Sequence, residues 1–156
     1  FVYPEPDATI FTRASVKSTD RFSGETTLNW EQYNPNDTFA RGYRIYYRSP
    51  NSRFRQIADI GDLTNTSFVH QNRNTADSTH RYYVKVYNLC DVEGPSTDTH
   101  RTMDLALTND NLATGINWTA YEGFDGQTYE IYRSANGGPS RVIQTTTDTS
   151  YIDSKI

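Results

Sequence analysis

Gly42-Tyr43-Arg44-Ile45-Tyr46-Tyr47-Arg48 reads as a half-buried strand. Tyr43, Ile45 and Tyr47 fall on one side of a period-two ladder, and Arg44, Tyr46 and Arg48 fall on the other. Aromatic and β-branched side chains suit such a pleated surface, whereas a helix would space its apolar residues three or four apart. His80 to Asn88 carries the same signature, with His80, Tyr82, Val84 and Val86 alternating against Arg81, Tyr83, Lys85 and Tyr87. Upstream, Leu28 and Trp30 share a face in Thr26 to Gln32, and Ile10 and Val16 are the expected apolar anchors of a strand from Ile10 to Ser18. Phe54 to Ile60 reads as a fourth strand and Ser67 to His70 as a short fifth. Gly94-Pro95 is expected to turn the chain so that Thr97 to Arg101 returns as a seventh. Short strands separated by turn signals imply a Greek-key sandwich, with Trp30, Tyr43, Ile45, Tyr82, Val84 and Val86 in its core.

The same signals recur. Leu28-Asn29-Trp30 and Tyr33 reappear 88 residues later as Ile116-Asn117-Trp118 and Tyr121. Tyr43-Arg44-Ile45-Tyr46 reappears after 86 residues as Tyr129-Glu130-Ile131-Tyr132, and Thr66-Ser67-Phe68-Val69 after 83 as Thr149-Ser150-Tyr151-Ile152. Preserved order with a slowly shrinking step is the mark of a duplication with trimmed loops. It adds Trp118 and Ile131 to the expected core and divides the chain into an extension or end of a preceding domain (1–9), a first sandwich (10–101) and a second (102–156). The second unit has counterparts of the first five strands and none of Tyr82 to Asn88. That strand is central in a sandwich, so its absence is expected to uncover the face bearing Trp118. Truncation of a longer chain accounts for this, as does completion by another chain, with Phe1-Val2-Tyr3 as a candidate donated strand. Phe1 reads as the start of a piece cut from something longer.

Composition excludes several classes of function. The net charge of -4 gives no general positive field for phosphate, which argues against nucleic acid as a partner. All of the imbalance lies in residues 102–156, with 7 acidic and 3 basic side chains. No apolar run is long enough to cross a membrane, and no signal peptide opens the chain. Cys90 is the one cysteine, so an internal disulfide and a cysteine zinc site are excluded; a buried, inert thiol is the expected state, with an intermolecular bridge as the alternative. No nucleophile elbow, phosphate loop or His-Glu-x-x-His pattern occurs. His70, His80 and His100 are too dispersed, on strand edges or ends, to converge on zinc. Asp59 with Asp62, and Asp91 with Glu93, read as turn residues and not as a calcium loop. Neither catalysis nor a cofactor or metal is expected.

Trp30, the Gly42–Arg48 strand, and Tyr82-Tyr83-Val84-Lys85-Val86-Tyr87-Asn88 followed by Gly94-Pro95-Ser96 resemble the fibronectin type III superfamily. The resemblance spans nearly the whole chain. It implies an all-β fold of tandem fibronectin type III-like (immunoglobulin-like) β-sandwiches, the second incomplete in this chain. A narrower likeness runs through Cys90, His100 to Leu105, Ile116 to Gly123 and Tyr129 to Arg133. These stretches look like surface proteins of Bacteroidota, of the gliding-motility-associated or type IX-secreted kind. That likeness implies a secreted, extracellular protein at the cell surface, on the bacterial outer-membrane surface, without direct membrane insertion.

The candidate binding face is the outward set Arg44, Tyr46, Arg48, Arg81, Tyr83, Lys85 and Tyr87, because Tyr and Arg anchor interfaces. The same alternation of rings and cations also stacks across strands to stabilise a sheet. Asp77-Ser78-Thr79 resembles the O-glycosylation sequon of Bacteroidota, which makes Ser78 a candidate acceptor. Asn36, Asn65 and Asn117 begin N-glycosylation patterns that matter only in a eukaryotic secretory route. The expected function is a non-catalytic structural or adhesive module, a spacer or a unit binding protein or glycan. Ancillary domains of a secreted hydrolase, or a filament subunit self-assembling through the incomplete second domain, are the alternatives.

Overall fold

The computed structural model describes residues 2–154. The first unit is built from β1 (Phe11–Ser18), β2 (Gly24–Trp30), β3 (Ala40–Arg48), β4 (Arg55–Ile60), β5 (Ser67–Arg73), β6 (Arg81–Asn88), β7 (Glu93–Ser96) and the short β8 (His100–Arg101). One sheet runs β1-β2-β5 and the other β4-β3-β6-β7, with β8 also paired to β6. Phe11, Ala14, Leu28 and Trp30 from the first sheet meet Tyr43, Ile45, Tyr47, Tyr82, Val84 and Val86 from the second in one cluster. Burial of that apolar area is the main driving force for closing the two sheets on each other.

Three local expectations are corrected. Ile10 is 60% exposed, and the anchors of β1 are Phe11 and Ala14. A bulge between Phe11 and Arg13 shifts the inward phase by one residue, which strict alternation cannot foresee. Gly94-Pro95 is not a turn but part of β7, where Gly94 lets the Pro6 carbonyl pass where a Cβ would sit. Pro95 is tolerated there because β7 lies at the sheet edge. Cys90 is exposed, because Asn88 Oδ1 accepts the N–H groups of Cys90 (2.9 Å) and Val92 (3.0 Å) and ends the strand in a turn. The thiol therefore leaves the alternation before it can be buried.

The residues ahead of β1 lie along this sandwich. Asn88 Nδ2 donates to the Pro4 carbonyl at 2.9 Å, and Tyr3 packs on Phe39 with centroids 4.8 Å apart. Val2 and Tyr3 are in no strand, and Phe1 of the candidate donated strand lies outside the described residues.

The second unit comprises β9 (Leu105–Asp110), β10 (Ala113–Trp118), β11 (Tyr129–Arg133), β12 (Arg141–Thr146) and β13 (Ser150–Asp153). Its sheets are β9-β10-β13 and β11-β12. The duplication extends to register. Leu28 pairs with Phe68 and Asn29 with Ser67; their equivalents Ile116 and Asn117 pair with Tyr151 and Ser150. A bulge falls between Ile45 and Tyr46 against β4, and another at the same place, between Ile131 and Tyr132, against β12. Trp30 meets Tyr43 edge-on at 5.3 Å, and Trp118 meets Tyr129 at 5.5 Å.

No counterpart of β6 or β7 exists among the described residues. Trp118 and Ile131, expected in the core, are therefore only half-buried, and Leu105 and Leu107 are each 58% exposed. A groove of about 1270 Å³ opens between the two sheets and reaches β1 of the first unit. No helix in the described residues is long and apolar enough to cross a membrane.

Candidate functional site

The outer face of β3 and β6 brings the seven candidate binding residues together, because the two strands pair directly: Arg44 with Lys85, Tyr46 with Tyr83, and Arg48 with Arg81. Two cations side by side on a sheet repel, so this face needs counter-charge. Arg44 finds it in Asp59 (3.1 Å), Glu93 (3.2 Å) and Asp91, while Lys85 reaches Glu93 at 3.1 Å. Burial alone would raise the Glu93 carboxyl, but hydrogen bonds from Tyr46, Lys85 and Arg44 outweigh it and hold it below the ordinary glutamate value. Burial also works against the charged Arg44, and its carboxylate partners more than compensate, raising it.

The aromatic residues are engaged as well. Tyr46 and Tyr83 stack at 4.8 Å and 17°, and Phe54 packs on Tyr83 at 4.7 Å. The Arg48 guanidinium lies 5.1 Å over Phe54, and that of Arg44 4.4 Å over Tyr87. Alternation puts Tyr87 on the open face, yet it is 3% exposed, because Arg44 covers its ring and its hydroxyl donates to Asp59 at 2.6 Å. Asp59 and Glu93 are strand residues of β4 and β7, not turn residues, and they supply the counter-charge to Arg44 and Lys85. The face is thus a ladder of internal stacks and ion pairs in which Tyr46, Arg48, Arg81, Tyr83 and Lys85 stay partly exposed.

Arg81 has a different task. It reaches Glu122 of the second unit at 3.1 Å, and Arg101 reaches the same carboxylate at 2.8 Å. Beside this pair the backbone of Arg101 donates to the Glu122 carbonyl at 3.0 Å. The Ala14 N–H on β1 donates to the Tyr121 hydroxyl at 2.8 Å, and that hydroxyl lies 2.7 Å from Nδ1 of His100. His100 is 1% exposed, held between Phe11 (4.4 Å between centroids) and the flat backbone of Gly123. Gly123 has φ +140, and a Cβ there would overlap the imidazole. The connecting residue Thr102 is fully buried, with its N–H on the His80 carbonyl and its hydroxyl on the His80 N–H, both at 2.9 Å. The two units are therefore joined by a fastened contact and not by a free linker.

Tyr121 was legible only as the repeat of Tyr33. The equivalence is informative: the Tyr33 hydroxyl also accepts a backbone N–H from the chain ahead of its own unit, that of Asp7 at 3.1 Å. Each copy uses the same tyrosine to grip what precedes it.

His70 and His80 flank the Tyr47 ring inside the first sandwich. His70 Nδ1 lies 3.0 Å from the Tyr82 hydroxyl, and His80 lies between the Tyr47 hydroxyl (3.0 Å) and the Asn74 carbonyl (2.6 Å). Burial lowers all three histidines, His70 to about 4. Among the described residues no group of three or more His, Cys, Asp or Glu side chains is placed to hold a metal ion. Ser78 is half-buried in the connection between β5 and β6, next to Asp77, which pairs with Arg21 at 2.8 Å.

No protein-family model matches the chain. No curated protein matches it in sequence. Solved structures do. The FN1–FN3 domains of chicken CNTN1 are matched over 96% of this chain and 57% of that one, at 14% identity and a TM-score of 0.51. The third fibronectin III domain of the human KIAA0343 protein is matched over 62% of this chain and 81% of that one, at 18% identity and a TM-score of 0.48. A myokine structure is matched over 62% and 95%, at 15% identity and a TM-score of 0.47. The chain spans little more than half the length of the three-domain neighbour. Its fold is all-β, two fibronectin type III-like sandwiches in tandem, with the second open among the described residues.

Proposed function

We propose that this chain is a non-catalytic structural module, a stiff spacer of a secreted cell-surface protein. Many cell-surface domains share this sandwich architecture. The observation that carries the reading is the junction. The Ala14–Tyr121–His100 chain of hydrogen bonds and the Arg81–Glu122–Arg101 ion pairs tie the second unit to the first at two places. A spacer that transmits distance or force needs such a fixed angle, whereas independently moving domains are the default where contacts are few. The stacks and ion pairs on the outer face of β3 and β6 support the same reading, since these Tyr and Arg side chains stabilise the sheet they stand on. The likeness across residues 90–133 to gliding-motility-associated and type IX-secreted proteins of Bacteroidota supports a position on the bacterial cell surface.

The test is whether the units tumble as one body. Backbone ¹⁵N relaxation on the 156-residue chain should give one rotational correlation time for β2, β3 and β6 and the same value for β10 and β11. Two separate correlation times, each that of a small domain, would refute the spacer reading.

A further inference from the structure

We propose that the first sandwich carries an oxyanion site at the edge formed by β4 and β5. Arg55, Arg73 and the ring of His70 hold a doubly charged tetrahedral group, a phosphate either free or as a monoester.

Register places the two arginines. Tyr47 is buried in the core and Arg55 is its partner across β3 and β4, so both side chains leave the sheet on its inner face. On the facing sheet Gly24, Thr26 and Leu28 are buried positions of β2, and their partners on β5 are Arg73, His70 and Phe68. His70 and Arg73 are three residues apart and would point to opposite faces of a regular strand. A register shift between Gly24 and Thr26, with Asn72 left-handed at φ 58, returns Arg73 to the inner side. The guanidinium carbons of Arg55 and Arg73 then lie 5.8 Å and 5.9 Å from the centroid of the Tyr47 ring. His70 meets the same ring edge-on at 4.6 Å.

Two cations on the inner faces of a sandwich need counter-charge, which Arg44 on the outer face obtains from three carboxylates. None arrives here. Residues 38–58 and 63–76 contain neither aspartate nor glutamate. The flanking carboxylates are engaged elsewhere: Glu25 with Lys17, Asp59 with Arg44, and Asp77 with Arg21. Among the described residues Arg55 donates no hydrogen bond, and Arg73 donates only from Nε, to the Gln71 carbonyl at 3.1 Å. His70 is 9% exposed; its Nδ1 lies 3.0 Å from the Tyr82 hydroxyl, while Nε2 has no partner among the described residues. With that hydroxyl donating to Nδ1, the ring proton sits on Nε2 as a third unmatched donor. Two unpaired positive charges match a dianion, and the guanidinium fork fits the oxygens of a phosphate in pairs.

The first sandwich supplies all three residues. β4 and β5 are the edge strands opposite β7 and β1, and the second unit docks through β1, β6 and β8.

The probe is sodium phosphate, titrated at pH 7.5 into the ¹⁵N-labelled 156-residue chain, with chloride holding the ionic strength constant. Saturable one-to-one shifts are expected in the His70 ring and Arg73 Nε signals, with the amides of β10 unchanged. Arg55→Gln and Arg73→Gln should each weaken binding about 10-fold or more, because each removes a charge-assisted hydrogen bond. Arg53→Gln removes the same charge from the exposed connection between β3 and β4, and should weaken binding by less than about 2-fold, since screening mutes a cation outside the site. Both site variants relieve like-charge repulsion, so urea midpoints no lower than wild type verify that they fold. Glucose 6-phosphate separates the sources: tighter binding than phosphate assigns the site to a phosphorylated sugar, and equal or weaker binding assigns it to the free anion. Absence of saturable binding, or an Arg53→Gln loss as large as that of Arg55→Gln, overturns the proposal.

Discussion

Tyr121→Phe removes one oxygen and keeps the ring, so it isolates the hydrogen bonds of the junction. The edge-on contact of Tyr121 with His100, 5.6 Å between centroids, survives the change. Two groups lose a partner: the Ala14 N–H, 2.8 Å from the lost hydroxyl, and His100 Nδ1, 2.7 Å from it. Both residues are 1% exposed. A buried donor or acceptor left unmatched costs about 1–3 kcal/mol. Tyr121 itself is only half-buried, so water can partly rescue the exposed side, and the low end applies to each group. The sum is about 2 kcal/mol, a factor of about 30 in the equilibrium between docked and undocked units. Amide hydrogen exchange reads this directly. Ala14 protection should fall by about 30-fold, while Val84 and Val86, in the centre of β6 and paired to β3, should exchange at the wild-type rate because they report on the first sandwich alone. Unchanged exchange at Ala14 would refute the reasoning. Equal acceleration at Val84 would refute it differently, by showing that the hydroxyl supports the first fold and not the junction.

Acidification should destabilise the chain through its buried histidines. His70 is held near 4 by burial, against about 6.5 when unfolded, so the unfolded chain binds more protons across that window. Its stabilising contribution is complete above about pH 6.5, is lost as the pH falls and levels off below about 4, for a total of about 3 kcal/mol; a urea midpoint equal at pH 7.5 and pH 4.5 would contradict this. Gly42→Ala should cost about 3 kcal/mol, since a Cβ there overlaps the Ile60 carbonyl across the β3–β4 pair, and a change in urea stability below about 1 kcal/mol would show that the strands part easily. Trp118→Phe should remove most of the acrylamide-quenchable tryptophan emission and leave the shielded signal of Trp30, which is 3% exposed; an unchanged quenching constant would mean that the groove is closed in solution.

Much of the first sandwich was legible because its physics is local. In Gly42 to Arg48 and His80 to Asn88, each apolar residue is two from the next, so face and strand follow from the chain alone. Where a bulge intervenes, as between Phe11 and Arg13, the phase slips, and Phe11 is buried where strict alternation points to Ile10. Gly94-Pro95 carried the usual signs of a turn, yet close approach of Pro6 and an edge position explain both residues within a strand.

The candidate site was legible as a face but not as a state. Alternation placed Arg44, Tyr46, Tyr83 and Lys85 together, and β3–β6 pairing puts them side by side. Whether such a face is open depends on counter-charges from elsewhere. Glu93 lies 49 residues from Arg44, and no local pattern announces that it will return beside it. Tyr87 is buried for the same reason, under an arginine from the neighbouring strand.

The amino-acid sequence by itself determined the all-β class and the internal repeat, since periodicity and repeat spacing are one-dimensional properties. Only the tertiary structure decided how the two units meet. The bond from Ala14 to Tyr121 joins residues 107 apart, and Arg81, Arg101 and Glu122 converge from different strands and loops. Contacts of that kind follow from where packing brings the backbone. Packing is set by the summed burial of the core and not by any pattern within the segments it joins.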